Sequence, residues 1–134
     1  MTFLKSLKRL AIVAALAASA TGAEARGFLN TANNWEAMPA EARAAYVQGL
    51  NDSANFIFIN DDLATAVLKV ARTRCLIEHK TTAASLADAL TNLYVNNRQF
   101  ANQPPIVVYV AFMGATCKGI INQERERLEL PPIQ

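Results

Sequence analysis

One histidine in 134 residues, two cysteines far apart, and no C-x-x-C or H-x-x-x-H pair leave little from which to build a metal centre. A zinc site needs three or four such ligands held together. No G-x-S-x-G surrounds Ser53 or Ser85, so both read as small residues on a helix surface and not as hydrolase nucleophiles. Asp61-Asp62 is followed by neither the glycine nor the closing glutamate of an EF-hand, which leaves a helix cap. There is no fixed-period repeat and no low-complexity linker. Beyond Ala25 no uncharged apolar stretch reaches the ~20 residues that a membrane helix requires.

What is present begins with MTFLKSLKRLAIVAALAASATGAEA. Lys5, Lys8 and Arg9 form a basic start, Leu10 to Ala18 an apolar run, and Ala23-Glu24-Ala25 a small-residue cleavage site. Residues 1–25 are therefore expected to be a signal peptide that sends residues 26–134, a single domain, to the periplasm. The leader holds three basic residues and one acid, so the chain's 13 basic and 11 acidic residues become ten of each after cleavage. A neutral exported chain excludes the basic footprint of a nucleic-acid binder. The whole-chain pI of 8.7 belongs largely to the leader.

Arg26 to Trp35 shows no sustained period and reads as a flexible arm ending in an aromatic anchor. Pro39 and Glu41 suit a helix start, and Ala42, Tyr46, Gly49, Leu50, Ser53 and Ile57 recur at helical steps, predicting a helix from Pro39 to about Ile59. Its tail, NFIFIN, also fits a short strand. Asn60-Asp61-Asp62 caps a second helix along Leu63, Val67, Val70, Ala71 and Arg74/Cys75. Thr81 or Thr82 caps a third, marked by Leu86, Leu90, Leu93 and Tyr94. Pro104-Pro105 opens a fourth, running through IVVYVAFMGATCKGII to about Glu129. Its ERER at 124 to 127 reads as a solvated face with internal ion pairs, and Phe56, Phe58, Tyr94, Tyr109 and Phe112 as core. The expected fold is all-α, a small antiparallel bundle of about four helices.

CLIEHKTT, from Cys75 to Thr82, places a thiol, Glu78 and His79 within a helical turn of each other. A nucleophilic Cys-His pair needs a free thiolate. In an oxidising compartment Cys75 is expected to pair with Cys117 instead, leaving His79 and Lys80 as turn residues. No catalytic residue, cofactor or metal is assigned.

Three stretches, MPAEARAAYVQGLNDS, RCLIEHKTTAASLADALTNLYVNN and VYVAFMGATC, occur in an order that resembles the Rap and Tai immunity proteins of type VI secretion. The shared positions are Arg43, Tyr46, Gly49, Asp52, Cys75, Thr82, Leu86 and Cys117. The family's additional cysteine pair around the first helix is absent, as is the proline after the central cysteine. The resemblance implies an exported helical protein that occludes a cell-wall amidase. From the residues themselves, Gly49 is expected to admit a close neighbouring helix, Tyr46 to present a ring with a polar tip, and Asp52 or Arg43 to enter a pair across the first helix surface. The expectation is a non-enzymatic protein that binds a protein partner, with room for a homodimer, and with Arg98, Gln99 and Phe100 offering a loop-borne contact. The alternative is a periplasmic stress chaperone that exposes apolar helices on acidification.

Overall fold

A computed structural model describes residues 27–134, and the expected signal peptide lies outside the described residues. Among these residues six α-helices and one 3-10 turn run in order: α1 (Ala32–Glu36), α2 (Ala40–Asn55), α3 (Leu63–Glu78), α4 (Ala83–Asn96), the turn Arg98–Phe100, α5 (Pro105–Thr116) and α6 (Lys118–Glu126). No strand occurs among the described residues. The helices pack as a bundle in which α2 lies along α4, α3 along α6, and α5 against α4.

Local chemistry sets most helix starts. The Asp62 carboxylate accepts from the Thr65 N–H at 2.7 Å and so satisfies one of the free donors at the start of α3. Thr82 and Ser85 form a reciprocal capping box on α4. Pro104 precedes α5 and Pro105 occupies its first turn, where the missing N–H costs nothing. The core gathers Trp35, Val47, Ala71, Leu86, Leu90, Tyr94, Val108, Tyr109, Met113 and Ile121. The Cys75–Cys117 disulfide, with Cα atoms 5.7 Å apart, joins α3 to the junction of α5 and α6 inside that core.

Two helix boundaries differ from expectation. The first long helix ends at Asn55, and Phe56 turns to an extended conformation with ψ at 127°. The bond that replaces another helical turn is tertiary: the Phe56 carbonyl accepts from Lys69 Nζ of α3 at 2.8 Å. The fourth expected helix bends by 67° between α5 and α6. Cys117 sits at the bend with φ −98° and ψ 2°, and the turn lays α6 along α3, burying Ile121 and bringing Glu124 to Arg74. A straight continuation would carry Ile121 away from this core.

The stretch read as an arm contains α1. Thr31 caps it by accepting from the Asn34 N–H at 3.3 Å, and the Ala32 N–H donates to Ala101 O at 2.9 Å. Five residues do not hold a helix by themselves. Trp35, fully enclosed, anchors this one by donating from Nε1 to Thr91 Oγ1 at 2.9 Å, with its ring packed on Tyr46 and Tyr94.

His79 and Lys80 end α3. Lys80 is left-handed, with φ at 51°. Its N–H reaches Ile77 O at 3.0 Å and the Thr81 N–H reaches Leu76 O at 2.9 Å, a Schellman closure usually built on glycine. A left-handed side chain costs about 1–2 kcal/mol. Lys80→Gly is therefore expected to gain about 1 kcal/mol, reduced from that range by glycine's greater freedom when unfolded. A thermal melt should show Tm rising by about 4 °C, and a fall in Tm contradicts the account.

Candidate protein-binding surface

The segment after α2 turns its apolar side chains outward. Phe56, Ile57 and Phe58 are half-exposed or more, and Ile59 is fully exposed. The rings of Phe56 and Phe58 lie edge to face with centroids 5.0 Å apart. Their arrangement is fixed by one cation: Lys69 Nζ stands 4.7 Å over the Phe58 ring while donating to Phe56 O and, at 2.7 Å, to Asp61 Oδ2. The same carboxylate oxygen accepts from the Phe58 N–H at 2.9 Å. The Lys69 hydrogen bond first, and the Phe58 N–H second, hold the Asp61 carboxyl below its ordinary range. Asp61 and Lys69 thus form a clasp that shapes the loop.

Beside the loop runs a groove of about 400 Å³, lined by Asn55, Ile57, Lys69, Val70, Thr73, Arg74 and Ile77. Val70 also lines a second groove, of about 200 Å³, with Ala66, Val67, Glu124 and Leu128. Leu63, Val70 and Ile77 recur every seven residues along α3, each at least half exposed. That spacing places them on one stripe, which the Phe56–Ile59 loop borders. The cations here are paired internally: Arg74 bonds Glu78 at 2.6 Å and also Glu124, which in turn meets Arg127 at 3.3 Å. Glu124 therefore links α3 to α6 as well as serving the pair expected within its own helix.

Below the loop, a polar seam joins α2 to α5. Tyr109, fully enclosed, donates its hydroxyl to Asn51 Oδ1 at 2.8 Å and accepts from Asn55 Nδ2 at 3.2 Å. Burial raises the Tyr109 hydroxyl and pushes Tyr94, which donates to Gln103 O at 2.9 Å, up to about 12. Both therefore remain protonated donors at neutral pH.

The positions singled out in the sequence fall elsewhere, apart from the cysteine pair in the core. Tyr46 packs on Trp35, Thr82 caps α4 and Leu86 is core. Gly49 is exposed with nothing within 4 Å of where a Cβ would stand, so it admits no neighbouring helix. Neither Arg43 nor Asp52 enters an ion pair among the described residues. Arg98 and Gln99 are exposed, but Phe100 is half-buried and packed on the core, so it does not project as an anchor. Glu78 is bonded to Arg74, and His79 is an exposed cap residue.

Tyr94 and Tyr109 are buried and Phe112 packs against the core, as expected of them. Phe56 and Phe58 depart from that expectation and stand at the surface, 61% and 55% exposed. The available signal was the alternation in NFIFIN directly before an acidic cap, a pattern unsuited to a helix interior. Among the described residues no group of three or more His, Cys, Asp or Glu could hold a metal ion, and no single helix is long and apolar enough to cross a membrane. Comparison with protein-family models, with curated proteins and with solved structures finds no match for this chain.

Proposed function

We propose that this chain is an exported, non-enzymatic protein that acts by docking on a protein partner, in the manner of an immunity protein that occludes a cell-wall amidase. The observation that supports the reading is the clasped apolar loop at Phe56–Ile59 beside the groove on α3. A large apolar surface held in shape by hydrogen bonds is the pattern of a contact site. The Cys75–Cys117 bridge suits an oxidising compartment and holds α3, which carries half of the surface, to the core. The test is hydrolysis of isolated peptidoglycan by type VI amidase effectors, with and without an excess of the purified chain or of its Ile59→Asp form. Inhibition by the parent and its loss in the variant are expected. A parent that neither inhibits any effector nor retains a protein from periplasmic extract overturns the reading.

One observation favours the acid-stress alternative, namely that a carboxylate closes the loop. Asp61 has its pKa depressed below the ordinary 3.8, so its contribution to the fold is present above that value and is lost as pH falls through the lower native one. Asp62, which caps α3 through the Thr65 N–H, shifts in the same direction and lies beside Asp61. The clasp is thus expected to survive mild acid and to open only in strong acid. Limited proteolysis between Phe56 and Asn60 should accelerate below about pH 4, and Asp61→Asn should show the faster cutting already at neutral pH. Unchanged near-UV circular dichroism and no uptake of an apolar dye down to pH 2 exclude the acid chaperone.

A further inference from the structure

We infer that the outer face of α6 is a binding site for an extended peptide in which a branched aliphatic residue follows proline, and that the chain's own residues 130–134 fill it as an exchangeable strap. The site lies apart from the loop and groove described above.

The strap is built by the way α6 ends. The Leu130 N–H donates to Arg125 O at 2.9 Å and the Glu129 N–H to Glu126 O at 3.0 Å, a Schellman closure. Glu129, left-handed with φ at 56°, reverses the chain. Pro131 and Pro132 have no N–H and push the residue before each of them towards extended backbone, so no helix resumes. The returning segment runs back along α6, meeting Arg125 at Pro131 and Asn122 at Ile133.

What α6 reads is main chain. Asn122 uses both ends of its amide on one residue: Oδ1 accepts from the Ile133 N–H at 2.8 Å, and Nδ2 donates to Ile133 O at 3.4 Å. Arg125 Nε donates to Pro131 O at 2.5 Å. These bonds fix an extended backbone and leave its side chains free. The side chain that is read is Ile133, which packs against the core while Pro131, Pro132 and Gln134 stay exposed.

The receptor does not depend on its occupant. Asn122, Arg125 and Glu126 share one face of α6 at i, i+3 and i+4. Other side chains hold the helix in place: Ile121 is enclosed in the core, Glu124 bonds Arg74, and the disulfide pins the start at Cys117. The occupant is weakly seated by comparison. Its entry requires a glutamate in the left-handed region, which a side chain disfavours. It also leaves an open recess of about 360 Å³ against α6, lined by Asn122, Glu126, Glu129, Leu130 and Pro132. A segment held by three side-chain hydrogen bonds and one half-buried side chain opens without the rest of the fold. An extended peptide from another protein then finds the same donors, acceptor and apolar seat.

The test is fluorescence anisotropy of a labelled peptide of sequence ELPPIQ, that of residues 129–134, with the full chain purified without reductant. In the parent the tethered segment competes at an effective concentration in the millimolar range. Ile133→Asp unseats that segment and should bind the peptide roughly tenfold tighter than the parent or better, because apparent affinity follows the fraction of open sites. Adding Asn122→Ala should weaken binding again by about tenfold, as two hydrogen bonds are lost. A peptide carrying Ile133→Asp should not bind. Amide exchange of the parent needs no variant: the Ile133 N–H should exchange at least about 100-fold faster than the Ile121 N–H, which donates to Cys117 O at 2.9 Å. Equal exchange at the two positions means that the segment opens only with the whole fold and overturns the inference. Equal affinity in parent and Ile133→Asp, binding of the altered peptide, or undiminished binding after Asn122→Ala each overturns it as well.

Discussion

Cys75→Ser is expected to lower the unfolding free energy by about 4 kcal/mol, because the bridge closes a span of 42 residues and chain entropy in the unfolded state scales with the logarithm of that span. A domain of this size is stable by only about 5–15 kcal/mol. The substitution should therefore lower Tm by roughly 15 °C. The place of the link adds to its effect: Cys117 sits at the bend that lays α6 on α3, so freeing it loosens Ile121 and the Arg74–Glu124 contact together. Both cysteines are almost fully enclosed, so the Cys117 thiol left in the variant should react with alkylating reagents mainly when the fold opens. Urea unfolding without reductant, alongside thiol counting, checks this. Two alkylatable thiols in the parent purified without reductant, or a variant within about 1 kcal/mol of it, contradict the account.

Trp35→Ala should be comparably damaging, at about 3–5 kcal/mol, the range for removing a large enclosed aromatic side chain. The indole fills the space between Tyr46 and Tyr94 and is the main reason that a five-residue helix persists at Ala32–Glu36. Its loss opens a cavity and also releases the segment before α2. Trp35→Phe keeps most of the packing and loses the N–H donated to Thr91 Oγ1. Thr91 still donates to Ala87 O at 2.8 Å, so the milder variant should cost about 1–2 kcal/mol. Urea unfolding followed by far-UV circular dichroism separates the two. Equal losses would mean that the indole N–H, and not the ring, carries the effect.

Where the structure follows from nearby residues, the sequence was readable. The Asn60-Asp61-Asp62 stretch and the Thr81-Thr82 pair marked the starts of α3 and α4, of which the structure uses Asp62 and Thr82, paired prolines marked the start of α5, and two cysteines behind an expected leader implied the bridge. Features that depend on distant partners were not. The end of α2 is set by Lys69, thirteen residues beyond Phe56, and α1 exists through contacts of Trp35 with α2 and α4. The exposed apolar surface was hidden for a related reason: α3 carries apolar residues around most of its circumference, at Leu63, Val67, Leu68, Val70, Ala71, Leu76 and Ile77. Period alone does not say which of them other helices will cover. Only the packing of α6 on one side leaves Leu63, Val70 and Ile77 outside.

Cys75 lies near the end of α3 and Cys117 just past the end of α5, so the sulfur link makes a covalent ring that contains α4, the 3-10 turn and α5. Denatured but unreduced, the polypeptide is a lasso with two free tails, and Leu86, Leu90, Tyr94, Tyr109 and Met113 stay within the noose. Half the core residues are then confined to one ring whose conformational freedom the link has already reduced, while Trp35 and Ile121 lie on the tails outside it.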